Sequence, residues 1–413
     1  MKRELIETLV LDQRELLKRK KKGLTRNVDF KKLISTKQIA VISGIRRSGK
    51  STLLLQVMEN YEEFSYMNFD DERLLNFSVS DFQTLLSVFA KFTKSKVVFF
   101  DEIQNIEGWE RFIRRIFDED YKIFITGSNA KLLSSELATH LTGRYIKIEL
   151  FPFSFVELLS YHNVNYAKLS SSTRSEIMAL FDYYLPVGGF PEMIKYNEDE
   201  FLMRIYEDIL YKDLIIRCKI KNIKQFKNLS QYLFTNFTNG ISYNSLKSAL
   251  NIKSATTVQE YISFLEESYL IFELYKYDYS LKKQFVSNKK IFVIDNGIRN
   301  KVALMFSTDK GRLLENLVFI ELKRRKKEFY FYKTKKNLEI DFLYHENKAF
   351  HLIQVSYSLD AVSTAKREIK AIVDAAAELS HTKNLILTYE EETTLFENGV
   401  EITVLPVWKW LLG

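Results

Sequence analysis

One segment of the chain combines glycines, a lysine and a hydroxyl residue at a spacing that suits phosphate binding. Glycines let backbone N–H groups close around a polyphosphate, Lys50 is placed to reach the β- and γ-phosphates, and the Ser51 hydroxyl is placed to hold Mg²⁺. The pattern predicts a loop that binds ATP with Mg²⁺, and the alternative is a Gly-Ser turn beside a lysine. The segment G-x-x-x-x-G-K-[ST] and the residue after it are Gly44, Ile45, Arg46, Arg47, Ser48, Gly49, Lys50, Ser51 and Thr52.

Two acids follow a short apolar run further along the chain. The run at 96–100 ends in Asp101 and Glu102. After a phosphate loop, such a pair predicts that Asp101 holds Mg²⁺ through water and that Glu102 activates the attacking water as general base. The alternative is a solvated turn. The second acid favours hydrolysis of the nucleotide over binding alone.

These residues need a sheet that brings strand ends together. An apolar β-branched run at 38–42 leads into the loop, and a helix-like run at 51–58 leads out of it. Further strands are predicted at 63–70, 121–129 and 145–150, with helical stretches between them. This alternation predicts an α/β fold with a parallel sheet and helices on both faces.

Composition bounds the remaining possibilities. The chain has 413 residues, a formal net charge of +8 and one cysteine, Cys218, which rules out an internal disulfide and which we expect to be a packed residue. No apolar run approaches the roughly 18 residues that a membrane span needs, so we expect a cytoplasmic protein without membrane contact. Basic runs at 18–22 and 323–327 favour polyanionic partners.

Several motifs together resemble a known family, the archaeal and bacterial AAA-type ATPases with a C-terminal DUF4143 domain. The resemblance covers nearly the whole chain and implies four parts: an ATPase core at 1–150, a helical lid at 151–220, a third domain at 221–300 and the DUF4143 domain at 301–413. The motifs are GIRRSGKST, VVFFDEIQNIEGWE, ITGSNAKLL, LTGRYIKIELFPFSF, YYLPVGGFPE, GRLLENLVFIEL, LEIDFLY and LIQVSYSL.

Three further residues enter as candidates for nucleotide contact. In ATPases of the AAA+ type a polar residue at the end of the fourth strand senses the γ-phosphate, and Ser128 and Asn129 lie there; either is equally suited to cap a helix at 130–137. The resemblance suggests that Arg144 contacts nucleotide in its own chain or a neighbour, which would require an oligomer. The alternative is a surface arginine.

The segment 221–300 has the element order of a winged helix-turn-helix. Three helices are predicted at 228–237, 242–250 and 254–265, followed by a strand at 270–275. The third helix of such a domain commonly enters the DNA major groove, and the hydroxyls at 254–257 suit phosphate contact. We therefore expect DNA as the partner, with a protein partner as the alternative because winged helices also dock proteins.

The last segment carries an acid on a helix and polar residues on two strands. The resemblance implies a PD-(D/E)xK nuclease-like fold, in which Glu315, Asp341 and Gln354 match the positions of a second metal site. Ser356 stands where the lysine of that motif belongs, and Lys366 is a candidate substitute. We expect a domain that binds nucleic acid without cutting it, with cleavage or a purely structural role as the alternatives.

Overall fold

The chain folds into two compact units. The computed structural model describes residues 1–128, 141–198, 200–304 and 309–413. The first unit comprises residues 1–151 and the short segment 267–269, and the second comprises residues 152–266 and 270–413. Each unit has its own sheets and its own apolar core.

A five-stranded sheet forms the centre of the first unit. Its strands are β1 (Ile39–Ser43), β2 (Ser65–Asn68), β3 (Val97–Asp101), β4 (Lys122–Gly127) and β5 (Tyr145–Glu149). They lie in the order β2-β3-β4-β1-β5, and each neighbouring pair is parallel. The predicted α/β fold with a parallel sheet is therefore confirmed.

Apolar side chains cover both faces of this sheet, which explains why its strands have continuous apolar sequences. Adjacent strand residues point to opposite faces, so Phe99 stacks on Phe124 at 4.6 Å between ring centres, while Phe100 packs edge-on against Phe82 and Phe112. The helices of this unit are α1 (Arg3–Arg19), α2 (Phe30–Ser35), α3 (Lys50–Met58), α4 (Phe82–Phe92) and α5 (Trp109–Asp118), with short 3₁₀ turns at Glu72–Leu74, Val79–Asp81 and Ile103–Asn105.

The second unit begins with helices where the sequence predicts a lid. One glycine-rich turn among them is fixed by close packing: a Cβ on Gly189 would lie 2.1 Å from the Phe153 carbonyl oxygen, and one on Gly188 would lie 2.1 Å from Asp295 Oδ1. The Gly189 N–H donates to Asp295 Oδ2 at 2.7 Å. This turn therefore joins elements of the second unit. The helices are α6 (Phe155–Tyr161), α7 (Ser171–Val187), α8 (Pro191–Tyr196), α9 (Glu200–Asp208) and a π-helix (Ile209–Ile216).

A small helical and antiparallel module follows. Its helices are α10 (Ile223–Thr235), α11 (Tyr243–Ala249), α12 (Ala255–Glu267), α13 (Leu281–Val286) and α14 (Asn296–Val302). Its strands are β6 (Gly240–Ile241), β7 (Ile271–Leu274) and β8 (Lys289–Val293), which pair antiparallel in the order β6-β8-β7.

A six-stranded mixed sheet forms the end of the chain. Its elements are α15 (Lys310–Arg324), β9 (Phe329–Lys333), β10 (Glu339–Glu346), β11 (Ala349–Val355), α16 (Val362–Glu378), β12 (Thr382–Thr388), β13 (Thr393–Glu397), β14 (Val400–Pro406) and α17 (Val407–Leu412). The strand order is β13-β14-β12-β11-β10-β9, and only the β11–β12 and β12–β14 pairs are parallel. Ile340, Leu352 and Ile386 pack with Ile372 of α16 in one apolar cluster.

In the part of the chain that the structure describes, we find no helix with the length and apolar character to cross a membrane.

Candidate nucleotide site

The phosphate-binding loop lies at the carboxyl end of β1, and its backbone explains both glycines. Gly44 has φ +148°, and a Cβ there would lie 2.1 Å from the Leu150 carbonyl oxygen. Gly49 has φ +94° and precedes α3. Only glycine adopts these conformations without strain. The loop thus places backbone N–H groups and the start of a helix around one point, as the sequence predicts.

Two side chains of the loop fit a polyphosphate. Lys50 is buried, and its Nζ donates to the Gly44 and Ile45 carbonyl oxygens at 3.2 Å each. Ser48 Oγ is buried without a hydrogen-bond partner among the described residues. A bound phosphate would supply acceptors for both. Arg46, Arg47 and Thr52 lie on the same loop and the first turn of α3, with Arg47 exposed.

The two acids at the end of β3 lie where the sequence predicts them. Asp101 is buried, and burial together with the charge of Glu102 raises the pKa of its carboxyl, against hydrogen bonds from Thr126 and Ser51 that lower it. Ser51 and Asp101, the two predicted Mg²⁺ ligands, are therefore neighbours. Glu102 has φ +52°, which is strained for this residue type, and its Oε1 lies 3.8 Å from Lys50 Nζ. The motifs on β1 and β3 converge at one edge of the sheet.

Thr126 joins the two acids, and sequence reasoning did not identify it. Strand β4 lies between β1 and β3, so its end faces both motifs. Thr126 Oγ1 donates to Asp101 Oδ1 and accepts from the Glu102 backbone N–H at 2.9 Å. Tyr66 OH donates to Asp101 Oδ2 at 3.4 Å. In the sequence, Thr126 is marked only by its place in the small polar ending of the fourth strand, the same ending that contains Ser128 and Asn129.

Ser128 belongs to the same network through one intermediate side chain. Gln104 Nε2 donates to Glu102 Oε2 and to Ser128 Oγ, the latter at 3.3 Å. Ser128 is therefore linked to the predicted general base. Asn129 and the predicted helix at 130–137 lie outside the described residues.

Arg26 is a second residue that the sequence did not indicate, and it fixes the phosphate-binding loop. Its guanidinium is buried, with Nη1 donating to the Ser48 carbonyl oxygen at 2.6 Å and Nη2 donating to the Phe151 carbonyl oxygen at 2.7 Å. Gln56 of α3 fixes the segment that carries Arg26, because its Nε2 donates to the Lys22 and Leu24 carbonyl oxygens at 2.8 Å each. No motif marks such long-range contacts.

Arg144 does not reach the nucleotide site of its own chain. It directly precedes β5, and its carbonyl oxygen accepts from Ile39 N at the beginning of β1, whereas the phosphate loop follows the end of β1. Its Nε lies 3.6 Å from Asp118 Oδ1. The predicted contact within the chain is wrong because parallel strands place the two segments at opposite edges of the sheet. A contact with the nucleotide of a neighbouring copy stays a prediction.

The acids of the last segment meet, but around a lysine. Glu315 and Asp341 both contact Lys290 Nζ, at 2.9 and 3.2 Å. Gln354 uses its Oε1 to accept from the Asp341 backbone N–H at 2.7 Å. The three residues predicted as a second metal site, Glu315, Asp341 and Gln354, therefore lie together, but their polar atoms contact Lys290 and the backbone. Ser356 donates to the Ser358 carbonyl oxygen at 3.0 Å, and Lys366 lies exposed on α16.

This geometry defines a P-loop domain: a phosphate loop after β1, two acids after β3 and a polar strand end between them. The family comparisons agree. Residues 36–159 match the family described as AAA domain, and residues 178–309 and 310–410 match two domains of unknown function, DUF8612 and DUF4143. The chain belongs to the AAA-type ATPase family with a C-terminal DUF4143 domain, which confirms the resemblance.

Two relatives match this chain over most of their length. An uncharacterized protein of Methanocaldococcus jannaschii is 39% identical over 432 aligned positions, covering 100% of this chain and 96% of that protein. An uncharacterized protein of Haemophilus influenzae is 32% identical over 395 positions, covering 91% and 94%.

Among solved structures, the chain is similar to a Walker-type ATPase of Pyrococcus abyssi, with 14% identity, a TM-score of 0.42 and coverage of 66% of this chain and 92% of that one. It is also similar to the Aeropyrum pernix ORC1 protein in complex with DNA, with 12% identity, a TM-score of 0.32 and coverage of 64% and 85%.

Proposed function

We propose that the first unit hydrolyses ATP with Mg²⁺ and that this reaction regulates the binding or remodelling of nucleic acid, namely DNA. The observation that carries the proposal is the convergence of Lys50, Asp101 and Glu102 at one sheet edge, with Thr126 holding both acids. A binding site alone would not need the second acid.

The residues divide the chemistry among themselves. The Ser51 hydroxyl and the Asp101 carboxylate would hold Mg²⁺, which neutralises phosphate charge when bound. Lys50 would exchange its carbonyl partners for phosphate oxygens. Glu102 would accept the proton of the water that attacks the γ-phosphorus, as the bond to the leaving oxygen of ADP breaks.

The contacts of Glu102 suggest how nucleotide binding would prepare the general base. Its carboxylate is shared between the Lys50 ammonium and the Gln104 amide. When phosphate oxygens contact Lys50, the Glu102 carboxylate would lose that partner and could turn to the attacking water. Gln104 and Ser128 would report the change at the end of β4, which is the sensing role proposed for Ser128.

DNA binding is supported by the module between residues 223 and 293. A helix, a short strand, two helices and two antiparallel strands follow one another, which is the order of a winged helix. The third helix, α12, exposes Thr256 and Gln259, and Lys253 is exposed just before the helix begins; these side chains can contact phosphates or base edges. Ser254 Oγ accepts from Thr257 N at 3.0 Å, so Ser254 caps the N-terminus of α12.

The connection between β7 and β8 takes the place of the wing. It contains α13, whose Lys282 and Lys283 are exposed. Together with the net charge of +8, these lysines favour a polyanionic partner. The same connection also exposes apolar side chains, with Phe285 66% and Val286 80% exposed.

The decisive experiment measures ATP turnover with and without duplex, single-stranded and branched DNA. We expect stimulation by at least one of them and salt-dependent DNA binding. In the double variant Lys282→Ala/Lys283→Ala, the slope of log affinity against log salt should fall by about two, because each lost phosphate contact releases one counterion fewer. The control Lys94→Ala/Lys168→Ala removes equal charge elsewhere and should bind as the parent does.

A protein-docking switch is the second candidate, and the exposed apolar residues of α13 favour it. It predicts no DNA-dependent turnover and a partner whose capture is lost in Phe285→Ser but insensitive to salt. Steep salt dependence of DNA binding, with a slope that falls by about two in the double lysine variant, would reject this candidate.

A further inference from the structure

The acid cluster of the C-terminal domain surrounds a lysine from a neighbouring element. Lys290 lies on β8, and its side chain is only 6% exposed. Its Nζ lies 2.8 Å from Glu339 Oε1, 2.9 Å from Glu315 Oε1 and 3.2 Å from Asp341 Oδ1. An ammonium has three N–H donors, and here each has one carboxylate within reach. The cation of this cluster is therefore part of the chain.

Two further carboxylate oxygens of the cluster also have partners. Asp341 Oδ2 accepts from Val355 N at 3.0 Å, and Glu339 Oε2 lies 3.3 Å from Lys333 Nζ. These contacts leave the carboxylates arranged around ammonium groups. Nowhere in the described ranges do three His, Cys, Asp or Glu side chains form a group suited to a metal ion.

Gln354, the third predicted ligand, is committed to the protein framework. Its Nε2 donates to Glu368 Oε2 at 2.6 Å and to the Glu339 carbonyl oxygen at 3.1 Å. Its oxygen already accepts from the Asp341 backbone. To bind a metal, the amide would have to give up a buried network.

Electrostatics favour the charged lysine. Burial by itself lowers the pKa of Lys290, but the negative charges of Glu315, Asp341 and Glu339 outweigh it and raise the pKa well above the ordinary value. An isolated buried ammonium is costly, whereas one with several carboxylate partners is stable, and loss of one partner from such a cluster is strongly destabilising.

The position of Lys290 also gives it a mechanical role within the second unit. Strand β8 carries the lysine, while α15 and β10 carry the acids, so the ion pairs join the small antiparallel module to the C-terminal sheet. Apolar packing runs beside them, because Phe292 of β8 stacks on Phe319 of α15 with ring centres 4.0 Å apart. Lys290 thus links the two modules through buried ion pairs.

We infer that the Lys290 ammonium is the resident cation of this acid cluster, standing where a nuclease-like domain would hold a divalent metal. On this inference the C-terminal domain binds its partners without cutting nucleic acid. Lys290 connects that domain to the module at residues 223–293, for which we propose DNA contact. A lysine that activates water in a metal-dependent nuclease would instead share the acids with a metal and a phosphate, and its ammonium would need access to both.

The test compares Mn²⁺ binding in nucleotide-free protein by electron paramagnetic resonance and calorimetry. Asp341→Asn in the parent chain should leave Mn²⁺ binding unchanged, while lowering the melting temperature. Lys290→Met keeps the length of the side chain and removes its charge, so it should bind Mn²⁺ at least tenfold more tightly than the parent. The double variant Lys290→Met/Asp341→Asn should lose that gain, and Lys290→Arg should behave as the parent.

Three results would overturn the inference. One is a Mn²⁺ site in the parent that Asp341→Asn abolishes. Another is cleavage of plasmid or branched DNA by the parent with Mg²⁺ or Mn²⁺ that Asp341→Asn abolishes. The third is a folded Lys290→Met protein that gains no Mn²⁺ affinity. If Lys290→Met does not fold, the Asp341→Asn comparison decides the question by itself.

Discussion

Replacement of Thr126 by valine should damage both the stability and the turnover of the first unit. Valine has the shape of threonine without its hydroxyl, and Thr126 is fully buried. The change removes the donor to Asp101 Oδ1 and leaves the Glu102 backbone N–H without its acceptor. No other contact of the residue needs to change.

The magnitude follows from these two hydrogen bonds. A hydrogen bond to a charged group contributes about 1.5–3 kcal/mol, and an unsatisfied buried N–H costs about 1–3 kcal/mol. Because the two effects share one hydroxyl and relax together, we expect the unfolding free energy of the first unit to fall by about 3 kcal/mol. Turnover should fall by at least about tenfold, since both acids lose the contact that orients them and tenfold corresponds to only about 1.4 kcal/mol.

Urea unfolding and steady-state phosphate release measure the two effects, with Thr126→Ser as the matched control. Serine keeps the hydroxyl and loses a methyl group, so it should cost only about 1 kcal/mol and leave turnover within about threefold. If the valine and serine variants unfold and turn over alike, the hydroxyl does not organise the two acids and the account of the site is wrong.

Two further predictions concern other buried contacts. Arg26→Ala should weaken ATP binding about tenfold in calorimetry, because the carbonyl groups of Ser48 and Phe151 lose a charge-assisted donor that fixes the loop. Arg26→Lys should recover only part of the lost affinity. Equal ATP affinity in the parent and both variants would contradict this prediction. Burial raises the pKa of Asp295 to about 6, against hydrogen bonds from backbone N–H groups. A carboxyl that binds its proton more tightly when folded makes the folded state less stable as pH rises from about 4 to about 6, here by about 3 kcal/mol, so urea unfolding should show this decline in the parent and not in Asp295→Asn. Parallel pH profiles of the two proteins would contradict the assignment.

The features that could be predicted from the sequence are those encoded by neighbouring residues. The phosphate loop is contiguous, and Gly44 and Gly49 are required by its own backbone, so the motif determines the geometry. Asp101 and Glu102 end an apolar strand, and the carboxyl ends of parallel strands meet at one edge. Both motifs of the nucleotide site could therefore be predicted from local patterns.

The features that were missed depend on contacts between distant segments. Thr126 matters because β4 lies between β1 and β3, and strand order is not contained in any single motif. Arg144 was misplaced because the direction of β5 puts its beginning beside Ile39, away from the loop. Lys290 lies on a strand of another module, far from the nuclease-like motif in the sequence. Near that motif the sequence has Ser356 at the lysine position and Lys366 as a candidate substitute.

Phosphate release by purified protein with Mg²⁺ and ATP, compared between the parent and Glu102→Gln, tests the central claim most directly. The glutamine variant should bind ATP as tightly as the parent in calorimetry, while its turnover falls by about a hundredfold or more through loss of the general base. Lys50→Ala should not bind the nucleotide. Full phosphate release by Glu102→Gln, or a parent protein without affinity for ATP, would contradict the account.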